Sequence, residues 1–479
     1  MKNPGIPAVF AMLLLLFSCG GNREERHLPE KPNILFIAVD DLRPELSCYG
    51  AGHIHSPHID RLAAQGTRFD RSYCNIPVCG ASRASLLTGL RPMRQRFLHY
   101  YDRAEELAPG ITSLPMHFRN NGYYTISNGK VFHHADDMEE SWDEIWHPRS
   151  SSVSWRDYAI LENIRQDTAA GFRGPPFERA VLPDTAYKDG KTAGKVIADL
   201  RKLKEKGQPF FLAAGFLKPH LPFNAPERYW EIYDGKVQLP DNNYVPENAP
   251  AVSIHNSGEL RAYAGIPPGG PVSDEMALEL IQGYYACVSY TDAQVGKVLE
   301  ELQRLGLERS TIVILWGDHG WNLREHTMWC KHCNYETSLH TPLILKVPGT
   351  KQVASSDQIV EYVDIYPTLC ELAGLDLPEH LQGASFKELL FDPGATSDGV
   401  AVCQWVKGIT TIRDHYFYTE WVDDDDRETD RMLYDHSVDP GENVNISEDP
   451  SSAPVVEAMS VEMRRSRAAD YFREVPGNH

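Results

Sequence analysis

The sequence has no excess of positive charge. Its 479 residues include 47 Lys and Arg against 67 Asp and Glu, which gives a formal net charge of −20. An acidic chain is poorly suited to non-specific binding of nucleic acid or of long polyanions, so we expect no nucleic-acid partner. A basic pocket for an anionic ligand would have to overcome the negative potential of the acidic surface around it. We therefore expect an anionic ligand to be a small fragment or a chain end and not a whole polymer.

Internal repeats and low-complexity segments are also missing from the sequence, which excludes a repeat architecture. The length allows two to three domains, or one large α/β domain with an appendage.

The N-terminal apolar run is too short to span a bilayer comfortably. It covers residues 9–17, follows Lys2 and leads to Cys19, the pattern of a secretion signal. Leu16 and Ser18 stand at −3 and −1 as in a bacterial lipoprotein cleavage box. We predict a signal peptide over 1–18, a lipid anchor on Cys19 with a tether over 19–31, and a place in the bacterial periplasm or outer membrane. Membrane contact would be through this anchor alone. Simple cleavage nearby, which would give a soluble periplasmic or secreted protein, is the alternative.

Cysteine is scarce, with nine residues in the chain. Seven are left when Cys19 and Cys79 are set aside, and an odd number in an oxidising compartment means at least one free thiol. Cys330 and Cys333 form a C-x-x-C pair around Lys331. No second pair follows at zinc-site spacing, so a local disulfide or two unpaired thiols is favoured over a metal site.

Three apolar runs of strand length predict buried parallel strands at residues 32–39, 210–216 and 311–316. Open α/β sheets bind ligands at the C-terminal edge of such strands. Each run leads there to polar side chains: Asp40 and Asp41, then Lys218 and His220, then Asp318 and His319. Paired carboxylates suit Ca²⁺ or Mg²⁺ better than zinc, with an acidic turn as the alternative.

Helices are predicted between and beyond these strands. The strand 123–127 leads to Lys130 and His133, and residues 135–190 have the irregular composition of binding loops. From about residue 395 the pattern changes to short antiparallel strands followed by a C-terminal helix. The helices are predicted at 56–66, 112–122, 194–206, 274–305, 361–373 and 452–471, and the late strands at 400–405, 408–413 and 416–420.

The stretch Cys79-Gly80-Ala81-Ser82-Arg83 continues through an apolar run to Thr88-Gly89. It places a cysteine at a turn and an arginine four positions on, so we expect Cys79 at a helix N-terminus. There the free backbone N–H groups and the helix dipole favour an anion.

This stretch resembles the type I sulfatase signature, C-x-[PA]-S-R-x-x-x-x-T-G, whose cysteine is oxidised to Cα-formylglycine. Within that family the chain is most similar to the iduronate-2-sulfatase branch, through Val39–Pro44, Gly129–His133, Lys218–His220 and Asp318–Trp321. The resemblance covers residues 32 to 447. It implies an alkaline-phosphatase-like α/β sandwich with a large mixed central sheet, as a catalytic domain over 32–394, and a smaller C-terminal subdomain with an antiparallel sheet over 395–479.

The resemblance also implies a site. One Ca²⁺ would be held by Asp40, Asp41, Asp318 and His319 together with the modified Cys79, which requires a formylglycine-generating enzyme as a partner. A neutral imidazole is an unusual calcium ligand, so His319 has two possible roles, as a weak ligand or as a contact to the sulfate.

The resemblance leads to a hypothesis for the role of each remaining residue. The aldehyde hydrates to a geminal diol, and the metal would lower the pKa of one of its hydroxyl groups so that this hydroxyl can attack sulfur. Arg83 would hold the diol. Lys130 and Lys331 neutralise the sulfuryl oxygens. His220 is the candidate acid for the leaving alcohol and His133 the base that expels sulfate, and the two roles could be exchanged.

The expected substrate is a sulfated saccharide. The branch favours exo-acting removal of the 2-O-sulfate of a uronic acid in glycosaminoglycan fragments, with Arg43, Arg94 or Arg96 as candidates to hold the carboxylate. Three alternatives remain. They are another sulfated sugar position, such as 6-O-hexosamine or sulfated fucose or galactose; a phosphate or phosphonate ester hydrolase of the same superfamily; and a catalytically silent, sugar-binding surface lipoprotein.

Overall fold

The computed structural model describes residues 1, 29–93, 95–149, 155–169, 173–423, 425 and 427–471. The predicted signal peptide after Met1, the predicted lipid anchor at Cys19 and the candidate Arg94 lie outside these ranges. Within the described ranges, no helix has both the length and the apolar character needed to cross a bilayer.

The strands belong mainly to one large sheet and one smaller sheet. They are β1 (Asn33–Val39), β2 (Thr67–Tyr73), β3 (Tyr124–Gly129), β4 (Glu144–Trp146), β5 (Phe177–Ala180), β6 (Phe210–Phe216), β7 (Phe223–Pro226), β8 (Thr311–Gly317), β9 (Asn322–Leu323), β10 (Trp329–Cys330), β11 (Leu343–Lys346), β12 (Ser355–Glu361), β13 (Val400–Trp405), β14 (Gly408–Arg413), β15 (Tyr416–Val422) and β16 (Glu428–Asp435).

Helices cover both faces of the large sheet and one face of the smaller sheet. They are α1 (Pro57–Gln65), α2 (Cys79–Thr88), α3 (Ala104–Leu107), α4 (Leu114–Asn120), α5 (Leu161–Thr168), α6 (Lys188–Lys206), α7 (Glu227–Trp230), α8 (Gly258–Arg261), α9 (Asp274–Arg304), α10 (Glu336–Leu339), α11 (Ile365–Leu372) and α12 (Ala453–Tyr471).

The large sheet has eight strands in the order β12-β2-β11-β8-β1-β6-β3-β4. It is mixed, because β11 runs antiparallel to both β2 and β8 while β1 is parallel to β6 and β8. The predicted α/β sandwich with a large mixed sheet is confirmed. The three apolar runs form its centre as β1, β6 and β8, since strands buried on both faces have no polar alternation.

Alternate residues of β1 face two different hydrophobic layers. Ile34, Phe36 and Ala38 pack in the layer that includes α2, α4 and α11. Leu35, Ile37 and Val39 pack in the layer that includes α1, α6 and α9. The period of two along the strand thus gives one helical layer to each face of the sheet.

The parallel strands end together. Val39 of β1 pairs with Phe216 of β6 and with Gly317 of β8, and Gly129 of β3 pairs with Gly215 of β6. The residues that follow these four strands therefore meet at one edge of the sheet, where the site is built.

The C-terminal part forms a four-stranded antiparallel sheet, β13-β14-β15-β16, which confirms the predicted smaller subdomain. One face packs on the sandwich through Cys403, Ile412 and Phe417. The other face packs on α12 through Tyr418 and Leu433 against Val456 and Met459.

Two expectations about secondary structure need correction. The region 135–190 is not irregular throughout, because it contains β4, α5 and β5. Helix α6 begins at Lys188, six residues before the predicted start at 194. Its first two turns hold Gly190 and Gly194, which weaken helix propensity. The Gly190 position is buried against the backbone of Asp184, where a Cβ would meet the carbonyl oxygen at 2.2 Å.

Candidate active site

Cys79 is the first residue of helix α2. Its N-terminal neighbour Val78 is extended and supplies no side-chain cap, so the first backbone N–H groups of the helix are left to the site. The next residue must be glycine, because a Cβ on Gly80 would lie 2.3 Å from the carbonyl oxygen of Tyr100. The predicted position of the cysteine at a helix N-terminus agrees with the structure.

Three carboxylates are fully buried beside Cys79: Asp40, Asp41 and Asp318. The amide of Asp41 donates to Oδ1 of Asp318 at 2.9 Å, and Asp41 adopts a left-handed backbone with φ of 60°. This turn directs Asp41 toward Cys79, whose Sγ lies 3.6 Å from its Oδ1.

Arg83 bridges two of these carboxylates from inside the protein. Its Nε donates to Oδ2 of Asp318 at 2.8 Å, and Nη2 donates to Oδ1 of Asp40 at 3.2 Å. Nη1 donates to the carbonyl oxygen of Val131 at 3.0 Å and to that of Lys130. With all three guanidinium nitrogens engaged, Arg83 orients the carboxylates. The predicted direct contact of Arg83 with the reacting group stays a prediction.

Asp40 and Asp41 each form an ion pair with a different lysine. Nζ of Lys130 lies 2.5 Å from Oδ2 of Asp40, and Nζ of Lys331 lies 3.2 Å from both oxygens of Asp41. Although burial opposes it, electrostatic interactions with Lys130, His220 and Arg83 hold the pKa of Asp40 well below its ordinary value.

His319 presents one ring nitrogen to the cluster. Its Nδ1 donates to the carbonyl oxygen of Gly320 at 2.9 Å, which leaves Nε2 as the nitrogen facing Sγ of Cys79 at 3.1 Å and Oδ1 of Asp41 at 3.2 Å. Burial lowers the pKa of His319. A neutral imidazole held by a carbonyl in this way offers a lone pair to the centre of the site.

The two candidate acid–base histidines have different surroundings. Within the described residues, Nδ1 of His133 is buried without a hydrogen-bond partner, and burial together with Lys130 lowers the pKa of His133 to about 2. His220 instead faces oxygen acceptors. Its Nδ1 lies 2.5 Å from the carbonyl oxygen of Leu221, and Nε2 lies 3.4 Å from Oε1 of Glu259.

Glu259, on helix α8, is a member of the site that sequence reasoning missed. Its carboxylate lies 2.9 Å and 3.1 Å from Nζ of Lys331 through its two oxygens. Although burial opposes it, Lys331 and His220 hold the pKa of Glu259 well below its ordinary value. No motif marks this residue, because it stands alone in a polar, proline-rich segment.

The residues present fit a bound divalent cation. The oxygen and nitrogen atoms of Asp318 and His319 lie within 4.8 Å of Sγ of Cys79, and the same holds for Asp40 and Asp41 in a second group with Cys79 and His220. Burial raises the pKa of Asp41 well above its ordinary value. Lys331 opposes the shift, and the other buried carboxylates add to it. A cation among these carboxylates would remove that repulsion, and oxygen-rich ligand sets favour hard metals.

The arginines predicted to hold a substrate carboxylate are placed differently. Arg43 forms ion pairs with Glu45 at 2.5 Å and Glu325 at 2.6 Å, so its charge is already balanced. Arg96 is buried and donates to the carbonyl oxygen of Arg91. The C-x-x-C cysteines, Cys330 and Cys333, are buried free thiols, as are the other cysteines of the described residues apart from the half-buried Cys48.

Comparison with known proteins is consistent with this geometry. A family model described as Sulfatase matches residues 32–375, and one described as N-sulphoglucosamine sulphohydrolase, C-terminal, matches residues 324–469. Iduronate 2-sulfatase of Mus musculus is 34% identical over 400 residues, which make up 74% of this chain and 71% of that protein.

Two solved structures have the same fold. One is a complex with its substrate, D-glucosamine-2-N,6-O-disulfate. It has a TM-score of 0.75 at 20% identity, with 94% of this chain and 100% of that chain covered. The other is described as a 2-O GAG sulfatase and has a TM-score of 0.71 at 22% identity, with 92% of this chain and 93% of that chain covered.

Proposed function

Because this chain belongs to the sulfatase family and is a sulfuric ester hydrolase, we propose that it removes the 2-O-sulfate from uronic acid residues at the ends of glycosaminoglycan fragments. The observation that carries the proposal is Cys79 at the start of α2, surrounded by buried carboxylates and two lysines. The likeness to iduronate 2-sulfatase and to a 2-O GAG sulfatase supports the ring position.

We further propose that Cys79 is converted to formylglycine and that the metal is Ca²⁺. The side chains that would hold the metal are Asp40, Asp41, Asp318 and His319, with residue 79 as a further ligand. When bound, Ca²⁺ supplies positive charge that stabilises the anionic oxygens of the reacting ester. Cys79 is 3% exposed in the folded chain, so a formylglycine-generating enzyme would have to act before folding closes the site.

The two lysines carry the electrostatic part of the reaction. Lys130 contacts Asp40 and Lys331 contacts Asp41. From these positions the two ammonium groups can stabilise the negative charge that develops on the sulfuryl oxygens. Preorganised cations in a water-poor site stabilise such charge more than water does.

The histidine environments favour the predicted division of roles. Among the described residues, Nδ1 of His133 has no hydrogen-bond partner, so it is available to take a proton from the reacting group. His220 has oxygen acceptors at both nitrogens, which suits a proton donor to the leaving alcohol. Glu259 positions this donor and Lys331 together, since its carboxylate contacts both.

Sulfate release tests the proposal. The enzyme is produced with the maturing enzyme, supplied with calcium, and given an unsaturated 2-O-sulfated uronate disaccharide beside its 6-O-sulfated hexosamine isomer. Release from the first alone is expected. Release from the second alone would keep the sulfatase chemistry and discard the uronate substrate. Turnover of the corresponding phosphate ester in preference to both would point to the phosphoester hydrolases of the superfamily.

Export and lipid attachment at Cys19 remain part of the proposal. Incorporation of a labelled fatty acid into the wild type, and its loss in Cys19→Ala, is the expected result. Labelling that persists in the variant would contradict the anchor.

A further inference from the structure

An exposed tryptophan lies beside His220, the proposed acid of the site. Trp155 is 43% exposed, and its ring packs edge-on against the ring of His220 at a centroid distance of 5.1 Å. The exposed part of a large aromatic side chain supplies apolar contact area. A flat sugar ring whose leaving oxygen lies beside His220 would therefore be in reach of this indole.

A second side chain, Arg173, lies next to the same indole. The guanidinium of Arg173 lies 6.0 Å from the ring of Trp155 and 5.2 Å from the ring of Tyr263. In the part of the chain that the structure describes, Arg173 forms no ion pair. Arg156 is also close to this ring, at 5.5 Å, but it is paired with Asp167. Of the two arginines near Trp155, Arg173 is thus the one whose charge no described acidic side chain balances.

We propose that Trp155 and Arg173 form the subsite for the uronate ring, with the indole against the sugar and the guanidinium on the sugar carboxylate. The inference rests on the proposed function and assigns the carboxylate contact to a residue other than the predicted Arg43, which is already engaged by Glu45 and Glu325. The planar guanidinium matches a carboxylate through two parallel N–H donors. The Trp155 indole lies 5.1 Å from the ring of His220 and 6.0 Å from the guanidinium of Arg173, so a sugar seated on this indole would have the acid and the cation beside it.

The test compares two substrates that differ at the carboxyl group. They are the unsaturated 2-O-sulfated uronate disaccharide and the same compound with its carboxyl group reduced to a primary alcohol. Arg173→Gln is expected to lower kcat/KM on the uronate by about 10- to 100-fold, the effect of losing a charged hydrogen-bond partner, and to leave kcat/KM on the reduced compound within about threefold. Arg173→Lys should recover part of the uronate activity. Trp155→Ala should lower kcat/KM on both substrates.

The ratio of the two activities is independent of the amount of folded enzyme, so partial misfolding of a variant does not obscure the result. Arg309→Gln, which removes an exposed arginine side chain, is the control for loss of one positive charge. Equal loss on both substrates, or no loss on the uronate, in Arg173→Gln would overturn the subsite while wild-type turnover of the uronate upholds the proposed function. Failure of the wild type on the uronate would overturn both.

Discussion

Replacing Glu259 by Gln tests whether this residue positions His220 and Lys331. The substitution keeps the size of the side chain and removes one negative charge. That charge lies within 3.1 Å of Nζ of Lys331 through either oxygen and 3.4 Å from Nε2 of His220. Asp41 remains as a partner of Lys331 at 3.2 Å, so the lysine would not be left without a counterion.

The size of the effect follows from the charged hydrogen bonds that the substitution weakens. A hydrogen bond to a charged partner contributes about 1.5–3 kcal/mol, and the same free energy in the transition state corresponds to a rate change of roughly 10- to 150-fold. We expect kcat for sulfate release to fall by an amount in this range. The upper end matches the smaller contributions of general acid catalysis, about 10²-fold.

The pH profile separates a positioning role from a merely structural one. Burial and Lys331 lower the pKa of His220 well below its ordinary value, and Glu259 opposes this shift. An acid is active when protonated, so activity falls as the pH rises through the pKa of His220. Loss of Glu259 lowers that pKa further, and the descending limb of kcat should move to lower pH.

The assay measures kcat and kcat/KM for sulfate release over the pH range in both enzymes. Glu300→Gln, which removes a carboxylate that is 57% exposed on helix α9, serves as the charge-matched control and should behave like the wild type. A Glu259→Gln enzyme with kcat within about twofold of the wild type and an unmoved descending limb would refute the role assigned to Glu259.

Three further predictions concern the nucleophile, the metal and stability. Cys79→Ala should abolish sulfate release and change the free energy of unfolding by about 1 kcal/mol or less. Mass spectrometry of the active enzyme should show the aldehyde at position 79. Residual turnover in the variant would exclude the mechanism. Chelation should lower Tm, and calcium at about a hundred times its Kd should restore about 2.7 kcal/mol, whereas Asp41→Asn should lose this response; a larger response of the wild type to Mg²⁺ would reject calcium. Although burial opposes it, the hydrogen bond to Glu442 raises the pKa of His436. Its stabilising contribution is therefore complete below the unfolded pKa of about 6.5 and is lost as the pH rises through the folded value. Denaturant titrations at several pH values should show a weaker decline of stability on the alkaline side for His436→Gln, and an identical decline would contradict this pairing.

Local sequence was sufficient to locate the central strands and the residues that end them. An apolar run of about seven residues can only be a buried strand or a short buried helix, and the lengths of β1, β6 and β8 favour strands. The same argument placed Asp40, Asp41, Asp318 and His319 at one sheet edge. Cys79 could be placed at a helix start because it stands at a turn before an apolar run that Thr88-Gly89 closes.

Other strands of the large sheet could not be recognised in this way. β2 (Thr67–Tyr73) and β12 (Ser355–Glu361) contain several charged or polar residues and lie toward one end of the sheet. β2 pairs with both β11 and β12, and no short window of sequence contains these pairings.

For the site residues at strand ends and at the start of α2, the local sequence thus indicates the chemistry, since the end of a strand or the start of a helix depends on a few neighbouring residues. Which charges face each other is decided by the packing. Glu259 meets Lys331 although 72 residues separate them, and Arg173 meets Trp155 across a segment predicted to consist of loops. Such contacts depend on how layers stack and how loops fold over the sheet edge, so they follow from the tertiary structure alone.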